Sequence, residues 1–92
     1  MSNEIVQPIT LYTTDWCPYC VRARALLKAR KYPFTEVNVE GDDAKRAWLL
    51  QVTGRKTVPQ VFIGERSVGG FDDLSALDRS GELAVMVRRP VG

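Results

Sequence analysis

Residues 9–31 read Ile9-Thr10-Leu11-Tyr12-Thr13-Thr14-Asp15-Trp16-Cys17-Pro18-Tyr19-Cys20-Val21-Arg22-Ala23-Arg24-Ala25-Leu26-Leu27-Lys28-Ala29-Arg30-Lys31. Ile9 to Thr13 alternates and is rich in strand formers, which predicts a strand. Pro18 to Lys31 carries the spacing of a helix, with Cys20, Ala23, Leu26 and Leu27 on one stripe and Pro33 beyond its end. Pro18 suits a first helical turn, where its missing N–H costs nothing. Between these two elements lie the chain's only two cysteines, three residues apart. A Cys17 that opens the helix has its sulfur at the positive end of the helix dipole, near N–H groups with no intrahelical partner. That environment favours the thiolate, which is the form that attacks disulfides. Cys20, one turn on, is in reach to close a disulfide with it.

At about 100° per residue Cys17 points the same way as Arg24 and Lys28, whereas Cys20 sits at the edge of the apolar stripe. Cys17 is therefore expected to be the exposed, attacking thiolate and Cys20 the buried, resolving thiol. A thiol in such a motif can have its pKa lowered from about 8.5 into the ~3.5–7.5 range, with Asp15 opposing this slightly as a nearby negative charge. Two other readings stand beside this one: a pair of inert core cysteines, and metal binding completed by a second copy or an outside thiol.

Outward from this stretch, Phe34 to Val39 reads as a second strand, parallel to the first across the helix. Gly41-Asp42-Asp43 starts a second helix, with Ala44, Ala47, Trp48 and Val52 as its apolar face and Gly54 as its stop. Trp48 is expected in the core. Gln60 to Ile63 and Arg66 to Gly69 are short strands joined by a Gly64-Glu65 turn. Asp72 or Asp73 caps a third helix carrying Leu74 and Leu77, and a terminal segment from Glu82 to Val87 places Leu83, Met86 and Val87 on one side before Pro90. The order β-α-β-α-β-β-α implies an α/β protein with one mixed four-stranded sheet flanked by helices.

Ninety-two residues suit one small domain, 1–92 with a core over about 9–87. Thirteen basic and eleven acidic residues leave a net charge of +2, too mild to argue for nucleic acid. The apolar runs are far short of the ~20 residues of a membrane span. Met1-Ser2-Asn3-Glu4 has neither a basic segment nor a long apolar core, so no signal peptide is expected. The expected location is the cytoplasm, where thiols are kept reduced and a catalytic disulfide is favoured over a structural one. The chain has no histidine, which removes Cys–His and Ser–His nucleophile schemes and the commonest metal ligand. Two cysteines cannot complete a four-ligand zinc site in one chain, so no metal is expected.

Three segments together resemble the glutaredoxin family. Cys17-Pro18-Tyr19-Cys20 matches the C-P-Y-C motif of its dithiol class, Thr57-Val58-Pro59 its T-V-P, and Gly69-Gly70-Phe71-Asp72-Asp73 its G-G-x-[SD]-D. The resemblance runs from Ile9 to Val87. It implies a thioredoxin-like fold and a glutathione-dependent thiol–disulfide oxidoreductase that reduces protein–glutathione mixed disulfides and protein disulfides. Glutathione would be a co-substrate, with no cofactor tightly bound and the protein a monomer. The resemblance makes Cys17 the nucleophile and Cys20 the resolving cysteine. Tyr19 lies beside the bound tripeptide, and Val58 pairs through its backbone with the cysteinyl part of glutathione, ahead of a cis Pro59. Thr57, Pro59 and Gly70 also belong to the implied glutathione-binding set, Asp72 and Asp73 hold the γ-glutamyl end, and Arg46 meets the glycyl carboxylate. An extended tripeptide on an exposed backbone edge is physically reasonable, as is a carboxylate at a helix start. Taken singly, Asp72 and Asp73 also read as helix caps, and Arg46, Arg55 and Lys56 as solvated surface charge.

The chain departs from the family at two positions. Thr14 stands where a Lys or Arg is usual, with Arg46, Lys56 or Arg24 as candidates to replace that charge. Phe71 stands where dithiol members often carry Cys. Two rivals remain: a small redoxin reduced by thioredoxin reductase, and a dimer bridging an iron–sulfur cluster through Cys17 and two glutathiones.

Overall fold

A computed structural model describes residues 4–90, so the reading of Met1-Ser2-Asn3 lies outside the described residues. The elements are β1 (Glu4–Val6), β2 (Ile9–Thr13), α1 (Pro18–Ala29), β3 (Thr35–Asn38), α2 (Asp43–Thr53), β4 (Gln60–Ile63), β5 (Arg66–Gly69), α3 (Phe71–Ser80), α4 (Glu82–Val87) and β6 (Arg88–Pro90). The expected mixed sheet is present, in the order β3-β2-β4-β5. β2 and β3 run parallel, with Leu11 opposite Glu36, while β4 is antiparallel to both β2 and β5. The expected order omitted β1 and β6, which form a separate antiparallel pair joining Glu4 to Pro90 in register. Three-residue strands carry too little alternation to stand out in a sequence.

The two faces of the sheet are covered unequally. Ile9, Leu11, Val61 and Ile63 pack with Ala23 and Leu27 of α1, Leu74 of α3, and Leu83 and Val87 of α4. On the opposite face Phe62 and Val39 meet Leu49 of α2, with Tyr12, Val37 and Val58 at the margin. β4 is buried along its whole length because it is covered on both sides.

The apolar face expected of α2 is corrected. Leu49 is the side chain it buries, while Ala44, Ala47, Trp48 and Val52 are exposed. The core beneath α2 is small, and the Trp48 ring lies over its margin, stacked 5.8 Å from Phe62 and tilted 5.7 Å from Tyr12. Trp48 is 40% exposed and is therefore a lid on this core, not part of it.

Helix ends follow local chemistry. Asp42 caps α2 by accepting from the Lys45 N–H at 2.9 Å, and Gly54 stops it in a left-handed conformation. α1 stops at Ala29, before the expected Lys31, because Lys31 turns left-handed at φ 60° and Tyr32 N–H returns to the Leu27 carbonyl at 3.0 Å. The cap of α3 is Gly70, not Asp72 or Asp73. Asp73, three residues into the helix, reaches back and accepts the Gly70 N–H at 3.0 Å, half of a capping box.

Arg24 clamps Glu36 with two bonds of 2.7 Å, and Arg30 clamps Asp78 at 2.8 and 2.9 Å. The Arg24 guanidinium holds the Glu36 carboxyl below its usual range, and Arg30 does the same to Asp78. Arg55 first, and the Gly70 N–H second, lower Asp73.

Two outcomes are expected. Each of these carboxyls has a folded pKa below its unfolded value near 4, so the unfolded chain binds more protons as acid is added. The stability they contribute is present above about pH 4 and is lost as pH falls through the lowered folded values. Thermal melts from pH 6 to pH 3 should show Tm falling below about pH 4, with a shallower fall in Glu36→Gln. Gly69→Ala should cost about 2 kcal/mol in urea unfolding. Gly69 sits at φ 106°, and an added Cβ would collide with the Asp73 carboxylate.

Candidate active site

Cys17 is the N-cap of α1, in extended conformation at φ −152° and ψ 98°. Pro18 follows as the first helical residue, where no donor is lost. The N–H of Cys20 points at Cys17 Sγ from 3.1 Å. In the reduced protein this N–H and the helix dipole both favour negative charge on that sulfur. The two cysteines are joined as a disulfide in this structure, with Cα atoms 5.1 Å apart. Their exposures differ as expected: Cys20 is 1% exposed, against the core, and Cys17 is half-buried.

Cys17 Sγ also lies 3.7 Å from the carbonyl oxygen of Val58. The Val58–Pro59 peptide is cis, as the resemblance implied. Gln60 anchors this loop from below, fully buried and donating from Nε2 to the Thr57 carbonyl at 2.9 Å. The start of central strand β4 thereby holds the Thr57-Val58-Pro59 loop against the start of α1.

Beside this loop is a cleft of about 340 Å³, lined by Tyr19, Arg55, Thr57, Val58, Pro59, Gly70, Phe71, Asp72 and Asp73. Three separate segments meet there: the first turn of α1, the loop before β4, and the first turn of α3. The Tyr19 ring is 6.2 Å from that of Phe71 and carries the Arg22 guanidinium 5.2 Å from its centre. On the opposite wall Arg55 donates to Asp73 at 2.8 Å, and Asp73 in turn accepts the Gly70 N–H. Asp72 is exposed at the rim.

Among the expected site residues, Tyr19, Thr57, Val58, Pro59, Gly70, Asp72 and Asp73 thus line one cleft next to Cys17. Arg46 is not in its lining and borders a separate recess of about 240 Å³ with Ala47, Leu50 and Lys56. Arg24 is committed to Glu36 of β3, so it does not supply the cation that Thr14 lacks. The residue that sequence reasoning undervalued is Arg55. It was readable as solvated charge, and its pairing with Asp73 across eighteen residues leaves no local signal. Phe71 also contributes a wall.

Comparison with known proteins agrees with this arrangement. The glutaredoxin family profile matches residues 9–68. The chain is 48% identical over 80 residues to a glutaredoxin of Pseudomonas aeruginosa, covering 87% of this chain and 95% of that protein. It is 44% identical over 80 residues to glutaredoxin 3 of Escherichia coli, covering 87% and 96%. Among solved structures, the buckwheat glutaredoxin–glutathione complex superposes with a TM-score of 0.83 at 36% identity, covering 88% of this chain and 76% of that one. The glutaredoxin of Brucella melitensis gives 0.82 at 40%, covering 90% of each. With a thioredoxin-like α/β sheet, a Cys17–Cys20 pair at a helix start and relatives this close, the chain belongs to the glutaredoxin family of thiol–disulfide oxidoreductases.

Proposed function

We propose that this protein reduces protein–glutathione mixed disulfides, and protein disulfides, with glutathione as the reductant. The observation that carries the proposal is the Cys17 sulfur at the α1 N-terminus, 3.7 Å from the Val58 carbonyl and beside the cleft shared by Tyr19, Thr57 and the α3 start. A relative of 36% identity has been solved in complex with glutathione, which supports the same ligand here.

Cys17 acts as thiolate. It attacks the glutathione sulfur of the mixed disulfide, a Cys17–glutathione bond forms, and the substrate's S–S bond breaks. The electron pair leaves on the protein sulfur, which takes a proton from solvent. A second glutathione then attacks the glutathione sulfur on Cys17, releasing oxidised glutathione and restoring the thiolate. In the dithiol route Cys20 attacks Cys17, expels the partner thiolate and closes the Cys17–Cys20 disulfide, which two glutathiones reopen. The same route reduces protein disulfides.

The residues of the cleft have matching tasks. The Val58 backbone edge takes the extended tripeptide as a short added strand. The first turn of α3 offers N–H groups to the γ-glutamyl carboxylate, while Asp72 meets the ammonium. Asp73 holds Gly70 and Arg55 in place, and Arg55 takes up a glutathione carboxylate more directly than Arg46. Tyr19 and Phe71 wall the tripeptide. The protein works as a monomer in the cytoplasm, on glutathionylated or disulfide-containing proteins. No helix among the described residues is long and apolar enough to cross a membrane.

Steady-state reduction of a glutathionylated peptide, coupled to glutathione reductase, tests this reading. Cys17→Ser should lose at least about a hundredfold in kcat/KM, since no other thiolate takes its place. Cys20→Ser should keep most of this activity while losing reduction of a protein disulfide. Absence of activity in the wild type would overturn the glutathione reading. In the same assay Thr14→Lys should lower the KM for glutathione by about two- to threefold, the scale of one partly exposed charge pair, and the gain should shrink at high salt.

A further inference from the structure

The nucleophile lies on the boundary between two unlike surfaces. Around α1, Tyr19 faces α3, where its ring meets Phe71. Cys17, Val21 and Arg24 share the other side, at about 100° per residue. Arg24 fixes that side against β3 through Glu36. The cleft therefore lies on the α3 side of Cys17. Val21 is 57% exposed, and Trp16, 86% exposed, lies in the chain between Cys17 and Asp15. The Asp15 N–H donates to Glu40 Oε1 at 3.2 Å, and Asp15 Oδ1 accepts from Asn38 Nδ2 at 2.8 Å. Among the described residues no cation pairs with Asp15 or Glu40.

We infer that this flank docks the polypeptide half of a glutathionylated protein, and that it favours a segment with an apolar side chain and a Lys or Arg beside the modified cysteine. The inference rests on the glutathione reading. When Cys17 attacks the glutathione sulfur, the protein sulfur leaves roughly opposite the incoming sulfur. In-line departure carries that sulfur outward, away from Cys17, and by itself chooses no flank; the tripeptide occupying the α3-side cleft leaves the β3 side as the surface open to the polypeptide. Trp16 is the most exposed large apolar side chain among the described residues, and it immediately precedes the nucleophile. A Trp in that position has a large area to bury only when a partner arrives. The Asp15–Glu40 pair gives the same flank a negative charge that selects and steers a basic segment.

The test compares three substrates under the same glutathione and reductase coupling. One is the mixed disulfide of glutathione with 2-mercaptoethanol, which has no polypeptide. The second is a glutathionylated peptide with Leu and Lys beside its cysteine, and the third has Glu in place of that Lys. Trp16→Ala should lower kcat/KM for the Leu–Lys peptide by about tenfold, mainly through KM, as expected for a central aromatic contact. The 2-mercaptoethanol substrate should change by less than about twofold, and Trp16→Phe should recover most of the loss. Glu40→Gln should narrow the preference for Lys over Glu by about two- to threefold, an effect that salt also produces. Equal loss on the polypeptide and small substrates would assign Trp16 to the nucleophile itself and overturn docking. No loss on the peptide would also overturn it. A wild type inactive on every substrate would instead overturn the glutathione reading, and this division of the surface with it.

Discussion

The contact between the Cys20 N–H and the Cys17 sulfur, at 3.1 Å, ties the chemistry of this protein to its fold. An N-cap position leaves donors without intrahelical partners, and most helices fill it with the oxygen of Ser, Thr, Asp or Asn. Here a sulfur does that work. The same bond that starts α1 also favours the reactive form of the side chain that starts it. The chain has no histidine to act as a base, Thr14 adds no charge, and Arg24 is held by Glu36. The proposed reactivity of Cys17 thus draws on the backbone geometry of its own helix cap.

That dependence explains what was legible in the sequence. Strand β2, helix α1 from Pro18, the β4–β5 hairpin and the Cys17–Cys20 asymmetry all follow from strong local patterns, and the structure has them. The motif-bearing segments were also readable, because glycine, proline and cysteine each make a specific demand on the backbone. Two kinds of feature were not readable. Helix α2 offers two overlapping stripes about 100° apart, and the more apolar one, through Trp48 and Val52, is not the one it buries. Only the sheet beneath α2, with its small Val39–Phe62 cluster, selects Leu49. The Arg55–Asp73 bond joins segments that no periodicity links.

The cleft is built from three loops at one end of the sheet, and each is braced by something deeper. Gln60 holds the Thr57 carbonyl from a fully buried position in β4. Asp73 holds the Gly70 N–H at the mouth of α3. The α1 start is held by its own cap. The cleft walls are short in sequence, yet their geometry is set by the central strand and by capped helix starts.

The unequal covering of the sheet has a dynamic consequence. Three helices press on one face and α2 alone on the other, held there by Leu49 and by the aromatic lid of Trp48. Opening free energies in small domains track such differences in buried contact. Amide hydrogens of α2 should therefore exchange with solvent through openings that leave α1 and the Cys17 cap intact. Val58 packs at the margin of the same small core. The loop that faces Cys17 is thus braced on one side by Gln60 of the central strand and borders, on the other, the more thinly covered face of the sheet.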